Sequence, residues 1–548
     1  FASGAVLQNA DISATGGNAT VDVFAEAGAI TMAPGVTSSS FNGDIRYQAN
    51  TTIALGSIIT NDGNVALITN SGSVSDANGA SAVNVTAAGL LVTSGNGIGT
   101  GADAIETEAD THPSITTQAG LTTADSGAIV VTVSAGDFEL GSGLVGAQAV
   151  SAAGSGNVRL EAAAGALILG GALDAGSGNV TLLANGTLIQ SADGHMLTRG
   201  AGTVDVGARA VLMNNGATTR SVDGNVRYEA TETLSLGLIE TSANVSLVAA
   251  AVIDSGNDRL DVVADQLRIQ STGVVGEATN HLNTTVNRLS ARAGESGMFL
   301  SNTDSLVIGQ TTAIAVARVG LNGLANGTDG LSAVGDLGQS DLISGGALVL
   351  DAIGSLVTEE TGLINVRTNV LIQARGEGSD ITLGGKVTST AGNISVHAGD
   401  DLFQNADVET EKTGKTIDVA AGGVITMNLG SVSRTNDGHI RYSAGAGPEL
   451  GERNLLTLGS IQAGAGSVSL RAGQILDGGD ADRDVIATNL RLEATHGIGV
   501  GNDALDLNVG TVTARSGAAG VYLEDAASLT IGRVSAITVH RVDETAGT

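Results

Sequence analysis

The densest run of chemistry-bearing side chains is LDGGDADRDV (476–485), with Asp477, Asp480, Asp482 and Asp484 crowded into one turn. Closely spaced carboxylates suit Ca²⁺, which takes six to eight hard oxygen ligands. The run is not an EF-hand loop: Val485 stands where that loop needs Gly, and Arg491 where it needs a bidentate Glu. Earlier turns, SDANGAS (75–81) and IDSGNDRLD (253–261), share its character, so this is a recurrent acidic turn that is richest at its third occurrence. It is the candidate Ca²⁺ site; no other metal and no cofactor is expected.

Other constellations point away from catalysis. His112, His195, His281, His397, His439, His496 and His540 are scattered with no metal-ligand spacing, and there is no Cys. No nucleophile elbow, phosphate loop or dinucleotide fingerprint stands in a strand-turn-helix setting. Carbohydrate clefts use aromatic platforms, yet the chain has no Trp and only 4 Tyr. A non-enzyme is therefore expected. Arg46, Arg227 and Arg441 each precede a tyrosine that recurs once per long repeat. Alternation along a strand sends such an Arg to solvent and the Tyr to the core. Gln8, Gln190 and Gln404 recur in the same way and read as buried amides hydrogen-bonding at a turn.

The elements that position these residues emerge from internal repeats. NGDIRYQANTTIALGSI (42–58) returns as DGNVRYEATETLSLGLI (223–239), and with an inserted loop as DGHIRYSAGAGPELGERNLLTLGSI (437–461). VLQNAD (6–11), LIQSAD (188–193) and LFQNAD (402–407) keep step, and GMFLSNTDSLVIG (297–309) matches GVYLEDAASLTIG (520–532). Three β-helical long repeats follow: 1–185, 186–399 and an incomplete 400–548.

A shorter period runs inside each. Alternating aliphatic pairs follow Asn, as in Val158/Leu160, Val180/Leu182, Val226/Tyr228 and Val245/Leu247, at steps of 19 to 22 residues. A second short strand ends in aliphatic-Gly, as at Leu55-Gly56 and Leu236-Gly237. Gly and Asn mark turns, and no helical periodicity is sustained. Each period thus predicts strand, turn, strand, turn, with the recurrent Asn hydrogen-bonding between successive turns. Sandwich domains need changing strand patterns and usually an aromatic core, whereas one pattern here repeats at coil length. The expected fold is all-β: an elongated parallel β-helix, or β-solenoid, of coils of about 19–22 residues.

Composition bounds the partners. Of 548 residues 80 are Gly, 3 Pro and 2% aromatic, so the 42% that are hydrophobic are mostly small aliphatics suited to a thin core. The charge of −31 repels phosphate backbones and anionic lipids, so neither nucleic acid nor membrane insertion is expected. No basic-apolar-small signal segment opens the chain, which begins at Phe1 and reads as a processed product or a fragment.

With GNVRLEAAAGALILGGALDAGSGNVTLLANG (156–186) as its clearest passage, the chain resembles filamentous-haemagglutinin-like exoproteins and the wider class of giant repetitive bacterial surface proteins. The resemblance covers almost the whole chain and is one of repeat style. It implies a right-handed parallel β-helix exported across the outer membrane of a Gram-negative bacterium, acting extracellularly as an adhesin stalk or surface fibre. The family's secretion domain carries an Asn-Pro-Asn motif that does not occur here, so that domain lies outside this chain or export uses another machine. The expected partners are neighbouring copies, the rest of a longer chain, or a host or cell-surface receptor. The alternatives are a self-assembling sheath or coat subunit and, more distantly, a polysaccharide-degrading β-helix enzyme.

Overall fold

The computed structural model describes the chain except for residues 80–81, 100–102, 109–116, 124–125, 142–147, 257–258, 326–332, 446–453 and 480–481. The described residues form strands and no helix. The ladders between coils are parallel, so the molecule is a β-solenoid in which each coil pairs with the next along the chain.

Three ladders run through successive coils. One joins Val158, Val180, Val204, Val226 and Val245. A second joins Leu167, Leu188, Val211, Leu234 and Val252. The third joins Leu173, Met196, Thr219, Ile239 and Val262. Each coil therefore has three strands where the sequence predicts two. The third is short, as at Leu238–Glu240, and is separated from Thr233–Leu236 only by Gly237. Gly237 is a corner: a Cβ there would lie 2.6 Å from the Ala217 carbonyl oxygen, and on Gly56 2.5 Å from that of Val36. Absence of a side chain lets the backbone turn against the coil below. Matched residues on adjacent coils lie 19 apart at Asn225/Asn244, 22 at Asn157/Asn179 and 28 at His439/Ser467.

Stacking like on like makes the core. The five valines of the first ladder are wholly buried, as are Leu167, Leu188, Leu234 and Leu236. Recurrent Asn side chains close the turns: the Asn157 Oδ1 accepts the Asn179 N–H at 2.9 Å, and the Asn179 Oδ1 accepts that of Thr203 at 2.9 Å. The expected Asn ladder is thus present, satisfying turn N–H groups that would otherwise be unpaired.

The chain divides into two compact units. The first comprises Phe1–Asp265 with Ala313–Leu337, the second Gln266–Thr312 with Gly338–Thr548. In the first unit residues 313–325 and 333–337 leave the coil pattern. Their strands Ile314–Val316 and Val334–Asp336 form an antiparallel pair.

Candidate functional site

The acidic turn is a corner where two coils meet. Asp477 ends the strand Ser467–Asp477 and Asp484 precedes the strand beginning at Val485. Their carboxyl groups hydrogen-bond one another, and Asp477 also bonds Asp503. The Asp506 N–H donates to the Asp484 Oδ2 at 2.7 Å. Asp484 is 2% exposed; burial first, then the charge of Asp477, pushes its carboxyl up to about 8. Asp477 is raised by burial and by Asp503. Asp482 instead lines a separate recess of about 280 Å³ with Arg483, and Asp480 lies outside the described residues. Of the four carboxylates singled out in the sequence, the structure thus brings together Asp477 and Asp484, joined by Asp503 and Asp506 from the next coil.

The corner recurs. The Asn84 Oδ1 accepts the Glu106 N–H at 3.0 Å, as Asp484 accepts that of Asp506, and the Asn84 Nδ2 donates to Asp76 at 2.8 Å. Asn84, Asp261 and Asp484 also give their carbonyls to equivalent strand N–H groups, those of Ile58, Ile239 and Ile461. Burial, then Asp103 and Asp76, raises Glu106 to about 7. Asp103/Glu106 and Asp503/Asp506 were missed from the sequence because each pair lies one coil beyond its acidic turn. The recurrence of GIGTGADAIE (97–106) as GIGVGNDALD (497–506) was the signal. Burial of the Asp484 carboxyl favours its protonated form, which can donate to the partly exposed carboxylate of Asp477. No set of three or more His, Asp or Glu stands in metal-ligand geometry among the described residues.

A second recurrent site lies on the outer face of the first ladder. Asp22, Asp205 and Asp418 sit one coil before Arg46, Arg227 and Arg441, respectively, in matched positions. Arg46 grips Asp22 at 2.7 Å in the open, both about half exposed, as the sequence predicts for a solvated Arg. Arg227 departs from that expectation: its side chain is only 6% exposed, because residues 314–319 and 334–336 lie over the face as a strap. Ala317 and Val319 donate N–H bonds to the Thr203 and Thr181 hydroxyls, at 2.8 and 2.9 Å. Arg318 bonds buried Asp205 at 2.5 Å, and Asp336 takes Arg227 at 2.9 Å.

The second unit carries the same strap. AITVHRV (536–542) repeats AIAVARV (313–319), and its contacts fall at equivalent positions. His540 and Val542 donate N–H bonds to Thr416 and Ser395, both at 2.9 Å, and Arg541 bonds Asp418 at 2.8 Å. Asn157 donates to the Gly323 carbonyl, and Asn369 to that of Ala546. Val542 seals an outer apolar cluster with Phe299, Val349 and Leu371. Asp418 is fully buried; against the cost of burial, hydrogen bonds from His397, Arg441 and Arg541 hold its carboxyl far below the usual carboxylate range. Arg318 and Arg541 were not singled out from the sequence, although the 297–309/520–532 match runs on into both straps.

The recurrent Gln and Tyr meet inside. The Tyr47 and Tyr442 hydroxyls donate to Gln8 and Gln404, each at 2.6 Å, and pair with Ser38 and Ser433. Tyr228 pairs with Thr219 at 2.7 Å, and Gln190 bonds the same Thr219. These are core polar triads, fully satisfied and closed to solvent. No family model, curated protein or solved structure matches the chain.

Proposed function

We propose that the chain is a non-catalytic structural segment of a giant, filamentous-haemagglutinin-like bacterial surface protein, acting outside the cell as an adhesin stalk or surface fibre. The observation that carries this reading is how each strapped face is built. Repeating one outer-face pattern in both units, an extended strap whose N–H groups bond Thr and Ser hydroxyls of successive coils and whose Arg bonds a buried Asp, reinforces stacked coils against separation. Parallel ladders supply load-bearing hydrogen bonds between coils, and polar triads fix their register. The recurrent polar groups that are most buried are engaged with each other, which suits a structural part.

Electron microscopy of the purified chain over a concentration series tests the proposal. Discrete particles of unchanged dimensions are expected. Fibres that lengthen with concentration would replace the stalk by a self-assembling sheath, and cleavage of polygalacturonate or alginate would remove the non-catalytic reading.

A further inference from the structure

The outer face that receives a strap is written in the sequence three times. TVDV (20–23), TVDV (203–206) and TIDV (416–419) stand one coil before IRY (45–47), VRY (226–228) and IRY (440–442), respectively. The segment that covers such a face occurs only twice: the pattern A-I-x-V-x-R-V is found at 313–319 and 536–542 and nowhere else in the chain. Its Arg follows the Asp that it binds by 113 residues in the first case and 123 in the second. At that distance from Asp22 the chain carries no such segment, and Phe138–Leu140 there is a coil strand paired with Leu167–Leu169.

The uncovered row keeps the groups that hold a strap. In both covered rows a Thr hydroxyl accepts the N–H of the residue before the strap Arg, Thr203 from Ala317 at 2.8 Å and Thr416 from His540 at 2.9 Å, and the Asp Oδ2 accepts the Arg Nε. Thr20 and Asp22 occupy the same two positions. Arg46 forks onto Asp22, Nε to Oδ1 at 3.0 Å and Nη2 to Oδ2 at 2.7 Å, as Arg441 forks onto Asp418 at 2.7 and 2.8 Å. Asp418, so held, still takes a second guanidinium on Oδ2, and the same acceptor is open on Asp22. Cover is what differs: the Asp22 side chain is 53% exposed where those of Asp205 and Asp418 are at 0%, and the exposed Thr20 hydroxyl has no partner among the described residues. The third strap contact, an N–H to the hydroxyl of Thr181 or Ser395 in the coil below, has no counterpart, because the position beneath Asp22 falls before Phe1.

We propose that this row docks a separate polypeptide through an extended segment of the strap type, V-x-R-V, with the guanidinium on Asp22 and the N–H of the residue before it on Thr20. The chain demonstrates the recognition twice on its own segments, and Arg46 orients the Asp22 carboxylate in advance, which lowers the entropic cost of engaging a second guanidinium. A net charge of −31 draws a basic segment and repels an acidic one, so charge and hydrogen bonding select the same partner.

Fluorescence anisotropy on the whole chain at low ionic strength tests this, with a labelled peptide of residues 535–542 as the probe. Saturable binding is expected, weakened at least about tenfold by 0.5 M salt because the attraction is screened. Asp22→Asn should weaken it about tenfold and Thr20→Val by a smaller factor, since the first removes a charge-assisted bond and the second a neutral one. Melting temperature should not move, because both side chains are exposed. The peptide carrying Arg541→Gln should bind the unaltered chain about tenfold more weakly, a comparison independent of the folding of any variant. A scrambled peptide of the same composition reads general attraction to the acidic chain and should bind at least about tenfold more weakly. Absence of saturable binding, equal binding of the scrambled or Arg541→Gln peptide, or binding that survives Asp22→Asn, as displacement of a resident strap from Asp205 or Asp418 would give, overturns the proposal.

Discussion

Asp484 and Glu106 are acids that the fold prefers uncharged. With folded values near 8 and 7, against ordinary values near 4, the folded chain holds protons that the unfolded chain has released. Stability contributed by such groups is present at low pH and lost as pH rises between the unfolded and folded values. Asp484→Asn keeps an acceptor for the Asp506 N–H and removes the ionisation, and Asn84 shows that an amide fits this corner. Thermal melts from pH 5 to 9 should give a higher melting temperature for the variant above pH 7 and a flatter profile; an unchanged slope would mean that Asp484 is not the proton holder. The same melts with EDTA or Ca²⁺ test the candidate ion: Ca²⁺ stabilisation above pH 8, lost in Asp484→Asn, is the outcome that would establish it. The triads argue differently. Tyr228→Phe strips one buried hydrogen bond from Thr219, whose hydroxyl keeps Gln190 as a partner, and chemical denaturation should show a loss of about 0.5–1.5 kcal/mol.

Among the elements, the coil strands were legible and the straps were not. Val158, Val180, Val204 and Val226 announce a ladder because the same residue returns after each Asn. A three-residue strand such as Leu238–Glu240 is too short to show alternation, and Gly237 reads as an end when it is a corner. In the straps, AIAVARV and AITVHRV have the alternation of any coil strand; only the partner row, Thr181, Thr203 and Asp205 in one unit and Ser395, Thr416 and Asp418 in the other, makes them cross the coils, and those partners are more than 100 residues away. The acidic corner was half legible for the same reason: Asp477 and Asp484 are local, whereas Asp503 and Asp506 arrive with the next coil. Val542→Ala tests the strap as an element. It removes the side chain that covers Phe299, Val349 and Leu371 while leaving the Val542 N–H bond to Ser395. Hydrogen exchange should speed up at His540 and Val542 and leave the buried first-ladder strands at Ile394 and Ile417 protected; uniform loss of protection would show the strap to be inseparable from the coils beneath.

At the scale of the whole chain two electrostatic effects oppose each other. The excess of 56 acidic over 25 basic residues builds a field that disfavours the compact state and grows as pH climbs above the pI near 4.3. Against it stand pairs made between neighbouring coils, Arg46–Asp22, Arg199–Asp174, Arg209–Glu232 and Lys386–Glu409, at 2.5 to 3.0 Å. Exposed pairs of this kind contribute about 0–1 kcal/mol each and weaken in salt. Self-repulsion is summed over every unpaired acid, many of them farther apart than the ~8 Å screening length at physiological ionic strength, so salt removes repulsion more fully than it removes contact pairs. Melting temperature at pH 8 should therefore rise between 10 and 150 mM NaCl, and the rise should shrink toward pH 5 as acids take up protons. A fall with salt at pH 8 would instead make the bonds between coils the dominant electrostatic term, and the negative surface a matter of solubility alone.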